Sequence, residues 1–509
     1  MRRVFTKTQI APLLIIILYL SLALVYLERY PRVWADESWE ATISYSLLTN
    51  GEFACPLVEA KGYNTHILEP RLIVNLTLVL FYRLFGFGLV QSRLASVSMG
   101  LLTVIFSYYL ARELFNRSIA LISALFITVD TLVFVASRTV REEIFVAAIT
   151  VIAVYLFILG VKSGSNLFFS LSGVISGIGL YTHPNTFLSL VSILLLFMIE
   201  YRSGVFKKPG FWYFCLFTFV ALLPYAIYVS VENYQGKFAN FLAQVSRRAT
   251  PLAAGNWLWL SIKGEIRRFA QYFYLPYRFA ILVLVAVSTI KAFMSHRKAD
   301  RFILTVIFTH VFLFLLLVSN KTVRYLTVLS PFFAILVAKY LFDLLEDKEI
   351  SLKAYLQRIR FFRGMGDFPH VIDKRVIVFT ILAIVFFTNQ LAGDIILLWE
   401  HRDCDYYGFI RKVKGHIPEK ARIWGTMSFW LGLHEHPYRS QYGMNLESFK
   451  PEYMILYDTD IWGKTFWGAE RKPKSFRDSI VKFAAERGTC IGKVHDKFYG
   501  NVEIFRLVW

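Results

Sequence analysis

Charged side chains are scarce in this sequence. Asp, Glu, Lys and Arg make up 18% of its 509 residues, whereas a soluble domain typically has about 25%. Hydrophobic residues account for 56% and aromatic residues for 17% of the chain, and the mean hydropathy is +0.49. A water-soluble protein needs more polar surface than this, so the composition predicts an integral membrane protein.

Acidic residues are the scarcer charges, 36 against 56 Lys and Arg, which gives a formal net charge of +20. Such an excess can indicate a nucleic-acid partner, but no basic stripe is interleaved with a known nucleic-acid motif. The Lys and Arg residues instead lie at the ends of apolar runs, as the positive-inside rule and anionic lipid head groups favour. We therefore expect membrane lipids, and no nucleic acid, among the partners.

Cysteine is also rare, and the four cysteines show no metal-ligand spacing. Cys215 lies in an apolar run, as a small core residue does. Cys404 and Cys490 both lie in the polar tail, where a disulfide between them is one option and two free thiols are the other. The remaining cysteine is Cys55.

The chain lacks a repeat of fixed period, a low-complexity tract and a small-residue cleavage site after its first apolar run. We expect that run to be retained as a membrane helix. Runs long enough to cross the hydrocarbon core predict about eleven spans. They are Gln9 to Leu27, Val90 to Leu110, Ile119 to Val135, Ile144 to Val161, Leu167 to Tyr181, Phe187 to Ile199, Phe211 to Val229, Phe279 to Ala292, Phe302 to Val318, Leu326 to Leu345 and Val376 to Leu398.

Basic clusters predict the orientation of these spans. With the amino terminus in the cytoplasm, almost every Lys and Arg cluster falls on the cytoplasmic side. The apolar stretch Arg71 to Phe85 would invert this pattern if it crossed, so we predict a helix lying along the outer surface. The polar regions 28–89, 232–277 and 399–509 are then extracytoplasmic, in a multi-pass protein of the plasma or inner membrane.

The last polar region, 399–509, predicts a small α/β domain that follows a transmembrane domain of residues 1–398. Strands are indicated by the segments ARIWGT, EYMILYDTD, TCIGKVHDKF and NVEIFRLVW, and a helix by Ser428 to His434. Because the topology places this domain on the outer face, we expect it to select an acceptor or to cover a site there.

Two adjacent carboxylates, Asp36 and Glu37, follow the first span within the segment WADESWE. A solvated acidic loop would explain them, because charged residues normally remain in water. The alternative is a base or electrostatic anchor for an acceptor hydroxyl, since a carboxylate is a common group for removing that proton. Carboxylates at a membrane interface are costly to desolvate unless they are used.

A denser cluster stands after the third span in the segment SRTVREEIF, with Arg138, Arg141, Glu142 and Glu143. Interfacial ion pairing and snorkelling would account for it. Alternatively, an arginine binds a phosphate through two parallel hydrogen bonds while a carboxylate orients it or the acceptor.

Two further polar sites lie at predicted outer helix ends. His183 occupies the short turn between two spans, where a histidine is usually a cap or a hydrogen-bonded interfacial residue. Lys321, Arg324 and Tyr325 stand at another helix mouth, where snorkelling is the simpler explanation. Cations on the outer face oppose the positive-inside bias, however, and this indicates an anionic ligand.

Taken together, these elements resemble the GT-C superfamily of membrane glycosyltransferases, especially the protein O-mannosyltransferases and the lipid A aminoarabinose transferases. The resemblance rests on their order along nearly the whole chain. The matching elements are the Asp36-Glu37 pair, the LFG-ending surface helix before Arg93, the Ser137-Arg138-x-x-Arg141-x-Glu143 element and the Arg324-Tyr325-Leu326 element before Pro331. The sequence departs from that branch in having Glu143 instead of the commoner Asp, and in lacking the usual proline after Arg93.

The resemblance implies a polytopic α-helical fold and an inverting transfer of a sugar from dolichyl or undecaprenyl phosphate to a protein, lipid or glycan. It implies Asp36 as catalytic base, supported by Glu37, and Glu143 and Tyr325 as orienting residues for donor or acceptor. The implied donor-phosphate ligands are Arg138, Arg141, His183 and Arg324. Some relatives use a divalent cation, Mg²⁺ or Mn²⁺, and others work without one. If this chain uses an ion, Asp36, Glu37 and Glu143 are its candidate ligands, because such hard cations favour carboxylate oxygen.

Two other functions fit the same composition. A transporter or flippase of lipid-linked sugars would place polar residues at mid-membrane depth and have broken helices. The predicted spans contain few such charges, Asp130 near an outer end being an exception. A non-catalytic membrane scaffold would present the tail domain to a partner.

Overall fold

The computed structural model describes residues 7–58, 71–231, 256–273, 279–295, 297–318, 321–346, 374–440, 446–457 and 474–509. The helices that precede the tail are α1 Lys7–Leu24, α2 Ala35–Asn50, α3 Leu72–Phe85, α4 Leu89–Leu114, α5 Arg117–Thr128, α6 Thr131–Ser137, α7 Glu142–Ser163, α8 Asn166–Leu180, α9 Thr186–Tyr201, α10 Pro209–Val231, α11 Trp257–Phe273, α12 Phe279–Met294, α13 Lys298–Leu317, α14 Ser330–Glu346 and α15 Lys374–Glu400. Short 3₁₀ helices occupy Pro56–Val58, Arg202–Lys207 and Val323–Val328.

The described helices are those of an integral membrane protein. Six are long and apolar enough to cross a bilayer, and a bent pair formed by α5 and α6 would be a seventh span. Four shorter apolar helices correspond to α1, α3, α8 and α12. The predicted helical membrane architecture is confirmed, whereas the predicted number of eleven spans and the position of α3 along the surface stay predictions.

Helix α7 forms the centre of the bundle. Of its most apolar stretch, 72% is buried inside the protein, against 17% for the corresponding stretch of α15 at the periphery. Close packing nearby depends on small residues, because a side chain at Gly173 or Gly177 of α8 would collide with the backbone of α10. The four-residue spacing of these glycines is the arrangement that brings membrane helices together.

The predicted span Ile119 to Val135 is not one helix, and the prediction of a continuous span is wrong here. Helices α5 and α6 are bent by 60° at a break between Thr128 and Thr131. Asp130 stabilises the break because its Oδ1 accepts a hydrogen bond from Val133 N at 3.0 Å and so caps α6. The bend directs the chain after α6 towards α2 and α7, where the charged cluster lies.

The tail forms a five-stranded sheet, and the four predicted strand segments and the predicted helix are confirmed within the described residues. The strand order is β2-β1-β3-β5-β4, with β1 parallel to β2 and β3, and β5 antiparallel to β3 and β4. Its elements are α16 Tyr406–Lys414, β1 Ile423–Gly425, a 3₁₀ helix Met427–Phe429, α17 Trp430–Leu433, β2 Tyr438–Ser440, α18 Leu446–Phe449, β3 Tyr453–Tyr457, α19 Lys474–Arg487, β4 Gly488–Asp496 and β5 Gly500–Leu507. Part of the region 232–277, the segment before Arg71, most of the basic connection after α14 and the end of the EYMILYDTD segment lie outside the described residues.

The tail shares its hydrophobic core with the segment that follows α1. Val33, Ala41 and Ile43 are buried in one cluster with Phe409 and Ile504 of the tail. Hydrogen bonds reinforce this junction, since Ser440 Oγ donates to Leu57 O at 2.9 Å and Val33 N donates to Tyr499 Oη at 3.1 Å. The tail is therefore packed onto α2 and the segment before it.

The cysteines of the tail are free thiols. Cys404 is buried, with its Sγ 3.8 Å from Tyr499 Oη, whereas Cys490 is exposed on β4. The disulfide that the sequence left open between these two residues is therefore not formed in this structure.

Candidate active site

Asp36 lies in the first turn of α2, where the helix begins after an extended Trp34. The Trp34 indole Nε1 donates to Asp36 Oδ2 at 3.0 Å, and the same oxygen pairs with the Arg141 guanidinium. The Asp36 side chain nevertheless stays 39% exposed. A carboxylate that is fixed by an indole and an arginine, yet open on one side, is suited to accept a proton from a second molecule.

Glu37, its neighbour, is fully buried and points the other way. It receives two hydrogen bonds from Arg93 of α4, with Nε at 2.9 Å and Nη2 at 2.8 Å, and a third from Val140 N at 3.2 Å. Arg93 also donates to the carbonyl oxygens of Leu27 and Pro31, each at 2.7 Å. This buried pair holds together the starts of α2 and α4 and the segment before α7.

Arg138 is also buried, and the structure does not bring it to the charged cluster. Its guanidinium donates to the backbone carbonyl oxygens of Leu22, Ala23, Val25 and Tyr30 at 2.6 to 3.1 Å. These are orphan carbonyls at and beyond the end of α1, which a cation stabilises. In this structure Arg138 is thus a cap for α1.

Arg141 lies at the centre of a chain of alternating charges. Besides Asp36, its guanidinium contacts Glu142 Oε1 at 3.3 Å and Glu143 Oε2 at 3.1 Å. Arg324 Nε lies 3.0 Å from Glu143 Oε1, and Arg324 Nη1 lies 3.9 Å from Asp36 Oδ2. The structure thereby brings Asp36, Arg141, Glu143 and Arg324 together, although they come from three separate segments of the chain.

The chain of charges extends to residues that the sequence analysis missed. Glu40, fully buried on α2, pairs with Arg71, and Asn75 Nδ2 donates to Glu40 Oε2 at 3.0 Å. Arg71 Nη1 in turn lies 3.8 Å from Glu142 Oε2. The available signal was the spacing of Glu40, four residues after Asp36, which places both on one face of a helix.

His183 and Tyr325 complete the group on the side away from α2. His183 Nδ1 accepts a hydrogen bond from Asn185 N at 3.1 Å, and its Nε2 lies 3.6 Å from Glu142 Oε1. The Tyr325 ring lies 6.0 Å from the His183 ring and 5.5 Å from that of Phe314. The turn between α8 and α9 and the 3₁₀ helix before α14 hold these side chains.

A partly open pocket, called the cavity below, lies beside this group. One part of its wall is polar and contains Glu142, Glu143, His183, Asn185, Arg268, His310, Arg324 and Tyr325. The other part is apolar and contains Val146, Leu188, Phe314, Val328 and Leu329. A ligand with a charged head and a hydrocarbon tail matches both surfaces.

Arg268 of α11 supplies a cation that the sequence analysis missed. It is buried, pairs with Glu265 Oε2 at 2.6 Å and lies 4.0 Å above the Phe314 ring. Lys321 Nζ lies 3.3 Å from Glu265 Oε1, and burial lowers the pKa of Lys321 to about 8 despite that carboxylate. The signal was the three-residue spacing of Glu265 and Arg268 on an amphipathic helix.

Within the described ranges, no three His, Cys, Asp or Glu side chains are grouped in a way that could hold a metal ion. Asp36, Glu37 and Glu143 do not form such a group because Glu37 points towards Arg93. The arginines Arg141 and Arg324 occupy the space among the carboxylates. The use of Mg²⁺ or Mn²⁺ stays a prediction.

One protein-family model matches part of the sequence. Residues 69–228 match the model described as dolichyl-phosphate-mannose-protein mannosyltransferase. The matched segment contains Arg93, Arg141, Glu143 and His183, and it lies between Asp36 and Arg324. A comparison with curated protein sequences gives no significant match.

Solved structures of membrane glycosyltransferases share the fold. ArnT from Cupriavidus metallidurans bound to undecaprenyl phosphate matches with a TM-score of 0.67 at 14% identity, over 99% of both chains. The archaeal oligosaccharyltransferase AglB from Archaeoglobus fulgidus, in complex with an inhibitory peptide and a dolichol-phosphate, matches with a TM-score of 0.56 at 11% identity, over 97% of this chain and 74% of that one. The expected GT-C fold is confirmed.

Proposed function

Since the chain has the GT-C fold, we propose that it is an inverting glycosyltransferase that uses a polyprenyl-phosphate sugar as donor. The acceptor is a hydroxyl of a protein, lipid or glycan on the extracytoplasmic side. The observation that carries this proposal is the cavity, which has one polar wall containing two arginines and one apolar wall, and which is separated from the Asp36 carboxylate by Arg141 and Arg324. The similarity to structures that hold undecaprenyl phosphate and dolichol-phosphate supports it.

The donor phosphate lies at Arg324 in this proposal, with Arg268 and Lys321 adding positive charge and His183 at the boundary. Each cation already has a carboxylate partner, Glu143 or Glu265, which holds it in place before the donor arrives. A lipid-linked donor keeps its tail in the bilayer, and the apolar cavity wall gives the first isoprene units a surface to pack on. Positioning and charge neutralisation then supply most of the rate enhancement.

The reaction is a displacement at the anomeric carbon. The acceptor oxygen forms a bond to that carbon while the bond to the phosphate oxygen breaks, and the electron pair leaves with the polyprenyl phosphate. The hydroxyl proton passes to Asp36, whose carboxylate is kept in place by Trp34 and Arg141. Arg324 stabilises the negative charge of the departing phosphate, and Glu143 links Arg141 to Arg324, so that base and phosphate site keep a fixed separation.

Asp36→Asn tests this proposal. Mass analysis first identifies the donor and the acceptor. It compares the glycans and lipid-linked sugars of cells that contain the wild-type protein, the variant or neither. Transfer is then measured with the purified protein in liposomes. We expect a loss of at least about 10²-fold in turnover, because a general base contributes that much or more.

The matched control is Asp403→Asn, since that carboxylate is 67% exposed and pairs only with its neighbour Arg402 in the described structure. It should transfer sugar at the wild-type rate. A transporter or a scaffold would transfer no sugar even as the wild-type protein, which would refute the proposed function. Unchanged turnover of a well-folded Asp36→Asn protein would refute the role of Asp36 as the base.

A further inference from the structure

Glu142 is a buried carboxylate that has no role in the proposed reaction. It is 1% exposed and lies at the first position of α7, directly on the wall of the cavity. Its Oε1 faces Arg141 Nη2 at 3.3 Å and His183 Nε2 at 3.6 Å. Its Oε2 is buried and has no hydrogen-bond partner among the residues that the structure describes.

A buried carboxylate oxygen without a hydrogen bond is costly, because an ionised carboxylate only accepts and needs donors. Arg71 Nη1 lies 3.8 Å from Oε2, which is beyond hydrogen-bond distance. The cavity beside Glu142 is therefore where a donor group of a bound molecule would complete the coordination of this oxygen. Asn185 and His183, which line the same part of the cavity, provide further polar atoms.

The charges around Glu142 indicate which donor group fits. Arg71, Arg141 and His183 already surround the carboxylate, so a neutral hydroxyl suffices and no further cation is required. A phosphate would be repelled by Glu142 and instead matches Arg268 and Arg324. The hydrocarbon chain has no hydrogen to donate. Of the parts of a polyprenyl-phosphate sugar, only the sugar carries the required hydroxyl groups.

We propose that Glu142 is the specificity residue of a donor-sugar subsite, where its Oε2 accepts a hydrogen bond from one hydroxyl of the transferred sugar. This inference rests on the proposed glycosyltransferase function and adds the orientation of the donor in the cavity. The phosphate lies at the Arg268 and Arg324 side, and the sugar ring lies against Glu142, His183 and Asn185. The anomeric carbon then lies between Glu142 and the phosphate, on the side of the cavity closest to Asp36.

The test compares deoxy donors with wild-type protein and Glu142→Gln. Full-length protein in liposomes is first assayed with the polyprenyl-phosphate derivatives of mannose, glucose and 4-amino-4-deoxyarabinose. The derivative whose sugar is transferred is called the parent donor. Monodeoxy derivatives of that donor are then assayed. For the wild type, we expect kcat/KM to fall about 10- to 100-fold for one derivative, because a hydrogen bond to a charged group is lost.

In Glu142→Gln the amide oxygen can still accept a hydrogen bond but carries no charge. The value of kcat/KM should therefore fall for the parent donor and stay unchanged for the discriminated derivative, so that their ratio decreases towards unity. A purely structural role for Glu142 would lower both values equally and keep the ratio, as in a double-mutant cycle without coupling. Glu113→Gln is the matched control, because Glu113 is a partly exposed carboxylate paired with Lys162 at the far end of α7. It should behave like the wild type with every donor.

Three results separate the two proposals. If no polyprenyl-phosphate sugar is a substrate of the wild type, the proposed function is wrong. If the wild type transfers a sugar but tolerates every single deoxygenation, the sugar subsite at Glu142 is wrong, and this holds even if Glu142→Gln fails to fold. If Glu142→Gln folds and keeps the wild-type discrimination, another residue makes the contact.

Discussion

Asp36 and Glu37 are neighbours in the sequence but have opposite surroundings. Because α2 begins at Ala35 and successive helical residues are about 100° apart, the two carboxylates face different directions. Asp36 faces Arg141 and remains partly exposed, whereas Glu37 faces the buried Arg93. Their adjacency in the sequence suggested one acidic site. Because they lie at the start of a helix, Asp36 is instead a candidate catalytic residue, whereas Glu37 forms a structural ion pair.

Glu37→Gln should destabilise the protein by about 3–5 kcal/mol, because it leaves the Arg93 charge buried without its partner. Unfolding of the purified protein in detergent, followed by temperature or denaturant, measures this loss. Glu503→Gln is the control, since Glu503 pairs with Lys493 at 2.7 Å on the exposed face of the tail sheet. That change should leave the free energy of unfolding close to the wild-type value, because an exposed ion pair contributes little, and equal losses for both variants would contradict the assignment.

Lys321 predicts a pH dependence for donor binding. Burial lowers its pKa to about 8, while Glu265 opposes the shift and Arg268 adds to it. Lys321 is thus mainly protonated below pH 8 and loses its charge as the pH rises through that value. We expect KM for the donor to rise above about pH 8 in the wild type.

Lys321→Arg tests whether the pH dependence of KM originates from Lys321, since arginine stays charged throughout the pH range of the assay. The variant should show a flatter KM against pH than the wild type between pH 7 and pH 9. If both proteins give the same profile, another group titrates and Lys321 does not contribute to donor binding.

The sequence predicted most of the site because charge is informative in a hydrophobic chain. Asp36, Arg141, Glu143, His183, Arg324 and Tyr325 lie around one group of contacts and one cavity, as expected from motif order. Glu37 and Arg138 have other partners, and nothing in a sequence tells whether a buried arginine will meet backbone carbonyls or a ligand. Arg268 escaped, and Glu142 was named in the charged cluster without a role of its own, because their importance depends on which face of a helix borders the cavity.

At the break between α5 and α6, Asp130 links the helix bundle to α11, which borders the cavity. Asp130 Oδ2 accepts a hydrogen bond from Tyr272 Oη of α11 at 2.9 Å, and Ser330 Oγ donates to Oδ1 at 3.1 Å. Tyr272 lies four residues after Arg268, so both occupy the same face of α11. Hydropathy shows an uninterrupted apolar run here, which is why the sequence predicted one span and placed Asp130 merely near its end.

Tyr272→Phe should weaken donor binding through Arg268. Without the hydroxyl, α11 loses its hydrogen bond to the capped break, and we expect donor KM to rise up to about tenfold, the factor that 1.4 kcal/mol represents. The rate at saturating donor should change little, because Asp36 and its partners lie on other elements. Steady-state kinetics with varied donor measures both quantities.

Asn116→Ala separates this effect from a general loss of stability. Asn116 caps α5, where its side chain accepts from Ile119 N at 2.9 Å, and its removal should cost about 1 kcal/mol. Donor KM should remain at the wild-type value. An equal increase for both variants would mean that KM follows stability and does not report on Arg268.

The tail and the segment that follows α1 share one hydrophobic core. Since Val33, Ala41 and Ile43 are buried against tail residues, deletion of residues 399–509 should expose the apolar side of α2 to solvent. We expect limited proteolysis followed by mass spectrometry to find new cleavage within α2, with the connection between α8 and α9 still protected. An unchanged cleavage pattern in α2 would show that the junction is dispensable.

This junction also limits how the predicted role of the tail in acceptor choice can be tested. The sequence suggested a domain large enough to fold by itself, but hydrophobic patterning along one segment does not reveal a partner several hundred residues away. Substitutions of exposed tail residues will separate acceptor recognition from folding more cleanly than truncation.

The shared core imposes an order on biogenesis. The segment that contains Asp36 is synthesised early, whereas the tail strands that pack against its neighbouring residues are synthesised last. The surroundings of Asp36 are therefore incomplete until translation is nearly finished. A chain that ends before the tail lacks the residues that bury Val33, Ala41 and Ile43, so we expect it to be inactive in the proposed transfer.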